Sequence, residues 1–358
     1  MTTLKDVAKK AQVSIATVSR VVNGKFPESG ISDETRQRVI EAITELNYRP
    51  DHSARNLRLG NGIKSILFAL WAEGNDRDWF IPHPFFSHML HGIQNEVLSR
   101  GYYLSYLALT NQNLGALDAL LDGAVAGLIT QGPVPETVLD MVAAKRVPLV
   151  AIEPYFPLDR DVYPTIYVDN DLAVHQAMEH LVRLGHQRIG FVSIKNESFQ
   201  LQERRHAFRR WSDYYGLKGF PDQEFISKME YESADFKGDL DAGAEAISIW
   251  SELPDSLRPT AVITANDLIA IGTLRGLRSP ENGGWKELSV VGIDDIDWAQ
   301  YNDPPLTTVR IPKEEIGETA MNLMDRVLQG ETIGNYRCVI KTELVVRAST
   351  RAIDGVKG

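Results

Sequence analysis

The chain has 358 residues, of which 43% are hydrophobic and 24% charged, and a formal net charge of -10. That is the composition of a soluble globular protein of two or three domains, and the acidic balance excludes a uniformly basic nucleic-acid coat. A single cysteine, Cys338, excludes an intrachain disulfide framework and a cysteine-rich zinc site; with no apolar run long enough to span a bilayer and no signal-peptide core, it predicts a cytoplasmic protein without membrane partners.

The charge is uneven. Residues 1–60 hold ten Lys/Arg against seven Asp/Glu, a net of +3, which leaves -13 for residues 61–358. A basic head on an acidic body suggests a nucleic-acid module fused to something else. The first 50 residues read as three short helices. Thr3 is a candidate N-cap for the first. Ser14 caps a second over Ile15–Val22, which ends at Asn23-Gly24. Ser32 caps a third that runs to about Leu46, with Val39, Ile43 and Leu46 on one face. Only Gln12-Val13 separates the first two, a helix-turn-helix spacing. With Val18 and Val22 packed inward, Ile15, Ala16, Thr17 and Arg20 fall outward near the N-terminal end of the second helix, the end that enters the major groove in this motif. Arg20 suits guanine O6/N7, while Ile15 and Ala16 suit thymine methyls. Ser14, Ser19 and Asn23 suit phosphate oxygens, and Thr3, Leu4, Ser32 and Thr35 join them as expected backbone contacts. A generic three-helix bundle with a solvated Arg20 is the plain alternative.

Three runs in this region carry a resemblance: T-L-K-D-V-A-K-K-A-Q-V-S-I-A-T-V-S-R-V-V-N-G (3–24), I-S-D-E-T-R-Q-R-V-I-E-A-I-T-E-L-N-Y-R-P (31–50) and H-S-A-R-N-L-R (52–58). The head resembles the DNA-binding head of the lactose-repressor/galactose-repressor family. That resemblance implies a hinge helix in residues 51–62 that folds on operator DNA, with Leu57 at the position of the minor-groove wedge and Ala54 beside it. Two departures stand out. Gln12 replaces the usual Gly of the tight turn, at a cost of about 1 kcal/mol if the backbone there is left-handed. The Lys25–Gly30 connection is longer than in the lactose repressor.

The remaining residues alternate strands and helices. Strand-like runs recur at Lys64–Leu70, Tyr103–Leu109, Ala126–Ile129, Pro148–Ile152, Thr165–Val168, Arg188–Val192, Thr260–Thr264 and Ser289–Ile293. Helical patterns include Phe86–Leu98, Leu172–Leu184, Phe199–Tyr214, Ala242–Ile249, Leu268–Leu277 and Glu314–Leu328. The rhythm predicts an α/β fold of parallel sheets in two lobes. Dinucleotide and P-loop glycine motifs are missing, so no nucleotide cofactor is expected. In such sheets ligands bind beyond the carboxyl ends of the strands. Those ends carry Glu153, Asp169-Asn170, Asn266-Asp267 and Asp294-Asp295. The aromatics Trp79, Phe80, Phe85, Tyr155, Phe156 and Trp298 lie near them in sequence. Amides, carboxylates and aromatic faces make a sugar-like site, yet Asp or Asn after a strand equally often caps the next helix.

The body also resembles the family, through P-F-F-S-H-M-L-H-G-I (84–93), H-L-V-R-L-G-H-Q-R-I-G-F-V (180–192), T-A-N-D-L-I-A-I-G (264–272), S-V-V-G-I-D-D-I (289–296) and P-P-L-T-T-V-R (304–310). The resemblance implies a periplasmic-binding-protein-like core at 63–358. Its N-lobe takes about 63–166 and 311–339; its C-lobe takes about 167–310 and 340–352. Effector contacts then fall to Glu153, Arg204, Asn266 and Asp294. The register at Arg204 is set by E-R-R-H-A-F, with Arg205 adjacent. The head and the closing L-V-V-R-A-S-T-R resemble the evolved-β-galactosidase repressor branch, which implies a galactoside effector. A purine, a phosphosugar or a protein co-regulator remains an alternative. The expectation is a homodimeric repressor on a near-palindromic operator, with no catalytic residues, no metal and no cofactor. The different-class alternatives are an enzyme using Asp294-Asp295 as acid and base, and a transport sugar-binding protein.

Overall fold

The computed structural model describes residues 4–22, 31–46, 65–71, 83–154, 162–195, 199–220, 223–227, 237–282, 285 and 287–353. Thr3, Asn23, the Lys25–Gly30 connection, Ala54, Leu57, Trp79, Phe80, Tyr155 and Phe156 lie outside the described residues. The chain forms two compact units, Met1–Ile63 and Lys64–Gly358.

In the first unit, α1 (Leu4–Ala11), α2 (Ile15–Val22) and α3 (Asp33–Glu45) surround a small core of Val7, Ala8, Ala11, Val18, Val21, Val39 and Ala42. The pattern expected Val18 and Val22 to pack together. Among the described residues the core takes Val18 and also Val21, and the Val22 side chain lies outside the described residues. Gln12 sits at φ +54, the left-handed conformation that ends α1 and lets the Val13 N–H reach Ala8 O at 3.0 Å. Ser14 Oγ accepts from Thr17 N–H at 3.0 Å, and Ser32 Oγ from Thr35 N–H at 3.3 Å. Each satisfies a donor that its helix start would otherwise leave open.

The second unit holds two six-stranded sheets. The first contains β1 (Ser65–Trp71), β2 (Tyr103–Leu109), β3 (Gly127–Gln131), β4 (Leu149–Ile152), β5 (Thr165–Val168) and β11 (Arg337–Ile340), in the order β11-β5-β4-β3-β1-β2. The second contains β6 (Ile189–Ile194), β7 (Glu224–Ser227), β8 (Ala261–Thr264), β9 (Ser289–Asp294), β10 (Thr307–Arg310) and β12 (Glu343–Val345), in the order β12-β10-β9-β8-β6-β7. Every pairing is parallel except β10 with β12, so the expectation of parallel sheets fails at one edge strand. The central strands are buried along their whole length, which is why they read as unbroken apolar runs rather than alternating ones.

Helices α4 (Pro84–Ser99), α5 (Leu114–Leu121) and α6 (Glu136–Lys145) belong to the first lobe; α7 (Asn170–Arg183), α8 (Phe199–Tyr214), α9 (Lys237–Ser251), α10 (Asp267–Leu277) and α11 (Asp297–Tyr301) belong to the second. The chain then returns. Helix α12 (Lys313–Leu328) packs on α4 and the first sheet, β11 joins that sheet, and β12 goes back to the second. The lobes are therefore joined three times: after β5, after β10, and between β11 and β12. Glycines set the α4–α12 contact. A Cβ on Gly92 would lie 2.2 Å from Glu314 O, and one on Gly317 2.3 Å from Met89 O.

Candidate functional site

The carboxyl ends of both sheets face one cavity of about 140 Å³. For comparison, an engineered cavity of ~150 Å³ holds benzene, so the space suits one six-membered ring. Four elements position its polar wall. Strand β4 ends in Glu153, held at φ +48. Helix α8 supplies Arg204 from its second turn. Asn266 stands between β8 and α10, and Asp294 closes β9. All four line the cavity, so the residues named from the sequence come together. Arg204 is the lining arginine; its neighbour Arg205 instead pairs with Glu224 at 2.9 Å.

Arg204 is buried and carries a network across the second lobe. Its Nε donates to Asn170 Oδ1 at 2.9 Å, and its Nη1 to Ala265 O at 2.5 Å and Asp294 Oδ1 at 3.4 Å. Burial pushes the Asp294 carboxyl pKa up, against the pull of Arg204 and Lys313. Asp267, buried behind it, is pushed up to about 7, first by burial and then by the Asp294 charge. Donors on both oxygens, Thr308 Oγ1 at 2.5 Å and Ile296 N–H at 2.9 Å, hold Asp267 as an acceptor. Asn266 meets both readings of a polar strand end. Its Oδ1 caps α10 by accepting from Ile269 N–H at 2.9 Å, while its Nδ2 donates to Asp239 Oδ2 at 3.3 Å. Asp169 caps α7, accepting from Leu172 N–H at 2.9 Å, and does not line the cavity.

The first lobe supplies acceptors that its described residues leave partly unsatisfied. Glu153 Oε1 accepts from Val168 N–H, but among the described residues Glu153 Oε2 and Gln131 Oε1 are buried without a hydrogen-bond partner. Such atoms cost on the order of 1–3 kcal/mol each unless something fills the demand. Burial raises the Glu153 pKa from its ordinary 4.5 to about 7, against the Val168 hydrogen bond and the Arg204 charge. His83 is neutral for the same reason, its pKa lowered by burial to about 4; its Nδ1 accepts from Phe85 N–H at 3.2 Å, which leaves the proton on Nε2. Phe85, Phe86 and Met89 complete the apolar side.

Sequence reasoning missed Gln131, His83, Phe86 and Gln200 as lining residues. Gln131 was within reach of the strand-end rule, but the apolar run of β3 stops two residues before the strand does. Of the aromatics singled out, Phe85 lines the cavity, whereas Trp298 lies on α11 and does not. Asp295 points away from Asp294, toward Arg310 at 2.8 Å and Arg347 at 2.6 Å. The two acids cannot act as one acid–base pair.

In the head, Ile15, Ala16 and Arg20 are exposed on one end and side of α2, and Thr17 is half-buried. Among the described residues Arg20 makes no ion pair. Ser14, Ser32 and Thr35 sit at the two helix starts; Ser19 is half-buried on α2 and Leu4 opens α1, its side chain outside the described residues. Helix α2 thus presents two apolar groups and hydroxyls near its start and a cation in its last turn.

Residues 3–51 match the family described as bacterial regulatory proteins, lacI family, and residues 178–350 match the periplasmic binding protein-like domain. The HTH-type transcriptional repressor CytR of Escherichia coli (strain K12) is 31% identical over 98% of this chain and 97% of its own length. The chain belongs to the lacI family of bacterial regulatory proteins. The ribose operon repressor of Haemophilus influenzae is 31% identical over 98% of each chain. The lac repressor dimer bound to operator and the anti-inducer ONPF is 25% identical, with a TM-score of 0.74 over 98% of this chain and 99% of the other.

As a lacI-family member the chain is a DNA-binding transcriptional regulator and not an enzyme, because its full-length relatives are repressors. The helix-turn-helix head and the two-lobed periplasmic-binding-protein-like core are those of the family. Among the described residues no group of three or more His, Cys, Asp or Glu is placed to hold a metal ion, and no helix is long and apolar enough to cross a membrane.

Proposed function

We propose that this regulator is a cytoplasmic, homodimeric repressor that leaves its operator when a small sugar binds between the lobes. The observation that carries the effector part is the polar wall of the cavity. Gln131 Oε1 is a buried acceptor with no hydrogen-bond partner among the described residues, and Glu153 Oε2 has none within hydrogen-bond distance although the Asn170 and Gln200 side chains draw on its carboxyl; hydroxyl groups of a sugar ring would supply donors. Glu153, Arg204, Asn266 and Asp294 are the effector contacts in this reading. A phosphosugar remains an alternative, since Arg204 lines the same wall and burial raises the pKa of both Glu153 and Asp294. The phenyl rings of Phe85 and Phe86 favour a flat base as the second candidate. A galactoside is the first sugar to try, on the branch resemblance of the head and the closing segment.

On DNA, Ile15, Ala16, Thr17 and Arg20 would read bases in the major groove, with Thr3, Leu4, Ser14, Ser19, Asn23, Ser32 and Thr35 on the backbone. Residues 51–62 would form the hinge helix, with Leu57 as wedge beside Ala54. A two-fold dimer reads a near-palindrome. The effector acts only through its different affinity for the two lobe arrangements.

The experiment is thermal unfolding against galactosides, glucosides, phosphosugars and purines. A ligand at about 100 times its Kd adds roughly 2.7 kcal/mol. A galactoside shift that Arg204→Ala abolishes, together with release of the protein from DNA enriched out of a random pool, supports the reading. A shift with purines alone replaces the effector. Enrichment of DNA with no palindromic half-sites refutes the dimer reading.

A further inference from the structure

Lys313 opens α12, the helix that returns from the second lobe to cover the first. A cation in the first turn of a helix opposes the helix dipole, and Pro312 offers that helix no side-chain cap. Helix propensity therefore does not explain the residue. Its surroundings do. The side chain is buried, and all three ammonium protons are used: Asp294 O at 2.5 Å, Asp295 O at 3.0 Å and Ile311 O at 3.3 Å.

One of those carbonyls belongs to Asp294, which lines the cavity from the second lobe, and another to its neighbour Asp295. That wall is strained: Asp294 is held at φ +133 and Asp295 at φ +53, conformations that side-chain-bearing residues rarely adopt and that persist only where neighbours fix them. On its other side the ammonium lies over the Phe85 ring, 5.9 Å from the centroid, and Phe85 lines the same cavity from the first lobe. The facing charges are the carboxylates of Asp294, Asp267, Asp295 and Asp297, which oppose the lowering of the Lys313 pKa by burial. The base of the lysine is fixed, because the glycine contacts between α4 and α12 leave no room for α12 to slide.

We propose that Lys313 is a positioning residue of the interlobe cleft: from the first lobe it pins the strained Asp294–Asp295 main chain of the second, so that lobe separation and the shape of that wall change together. The role as an effector coupler rests on the effector reading of the cleft, whereas the pin itself does not. When the lobes part, the Asp294 and Asp295 carbonyls lose this donor and the wall relaxes. Ligand contacts on Asp294 therefore report, and bias, the lobe arrangement.

Hydrogen exchange on the full chain without ligand tests the pin. The amides of Asp295 and Ile296, bonded to Thr308 Oγ1 and Asp267 Oδ2, are the reporters. In Lys313→Met they exchange roughly tenfold faster, while β6 and β8 keep their wild-type rates. Lys313→Arg, which keeps a cation, recovers most of the protection. Lys313→Gln gives the same pattern at smaller amplitude and is the variant read if Lys313→Met does not fold. Acceleration confined to α12, uniform acceleration of the whole core, or unchanged reporters would each overturn the proposal. Because no ligand is added, the result stands apart from the identity of the effector.

Discussion

Glu153→Gln isolates the electrostatic cost built into the cleft. Burial takes the Glu153 pKa from 4.5 to about 7. At 1.36 kcal/mol per unit that is about 3 kcal/mol between the two protonation states. Between pH 4.5 and 7 the folded protein holds a proton that the unfolded chain has released, so this group lowers stability as pH rises through that window and leaves it lower above it. The amide cannot ionise. Its Oε1 can still accept from Val168 N–H, and its NH2 group faces a cavity where Gln131 Oε1 has no donor. The variant should match wild type near pH 4 and exceed it by up to about 3 kcal/mol at pH 8, less what effector-free water already relieves. Urea unfolding at half-unit pH steps gives the difference curve, in which the other titrating groups cancel. Parallel curves from pH 4 to pH 8 would refute the reasoning. Sugar affinity at pH 8, above the Glu153 pKa, should fall in the same variant, since a charged acceptor becomes a neutral one.

His83 has the opposite slope. Its pKa is lowered from 6.5 to about 4, so its contribution is complete above pH 6.5 and is lost as pH falls toward 4. His83→Asn keeps a capping side chain and should flatten the acid limb by up to about 3 kcal/mol, as read by thermal unfolding between pH 4 and 8; an unaltered acid limb would mean that the imidazole is already hydrated. Gly92→Ala places a Cβ 2.2 Å from the Glu314 carbonyl and should cost about 1–3 kcal/mol by forcing α4 from α12, measurable as a lower urea midpoint; wild-type stability would show that the two helices separate freely. Arg20→Ala should cost roughly 1–3 kcal/mol at one operator position and little at the others. Equal loss on all DNA sequences would mean that Arg20 touches phosphate only.

The central strands were legible because burial on both faces writes them as apolar runs with no competing period. The ones left unread, β7, β10, β11 and β12, are of two kinds. Strands β7, β11 and β12 lie at sheet edges and carry exposed or half-buried residues, so their apolar runs are too short to stand out. Strand β10 is a core strand written with threonine: Thr307 and Thr308 are fully buried, and their hydroxyls are satisfied by Thr350 and Asp267. Hydropathy cannot see a polar residue whose partner lies 41 positions away. The cleft divides the same way. Glu153, Arg204, Asn266 and Asp294 came from strand ends and family spacing. Lys313 and His83 gave no local sign, because their meaning depends on a lobe crossing and on burial that only the assembled fold creates.

The threefold crossing between lobes also sets the order of events during synthesis. The first sheet begins at Ser65 but receives β11 only at Arg337–Ile340, and its covering helix only at Lys313–Leu328. Neither lobe can therefore close while the chain is still short. At ~5–20 residues per second the interval from β1 to β11 is on the order of tens of seconds. Throughout it the apolar strands β3 and β4 wait without α12 above them, exposed to aggregation and to chaperones. The head, whose core among the described residues lies between Val7 and Leu46, can be folded long before. On a bacterial ribosome near its own gene, the DNA-reading module would exist well before the module that regulates it.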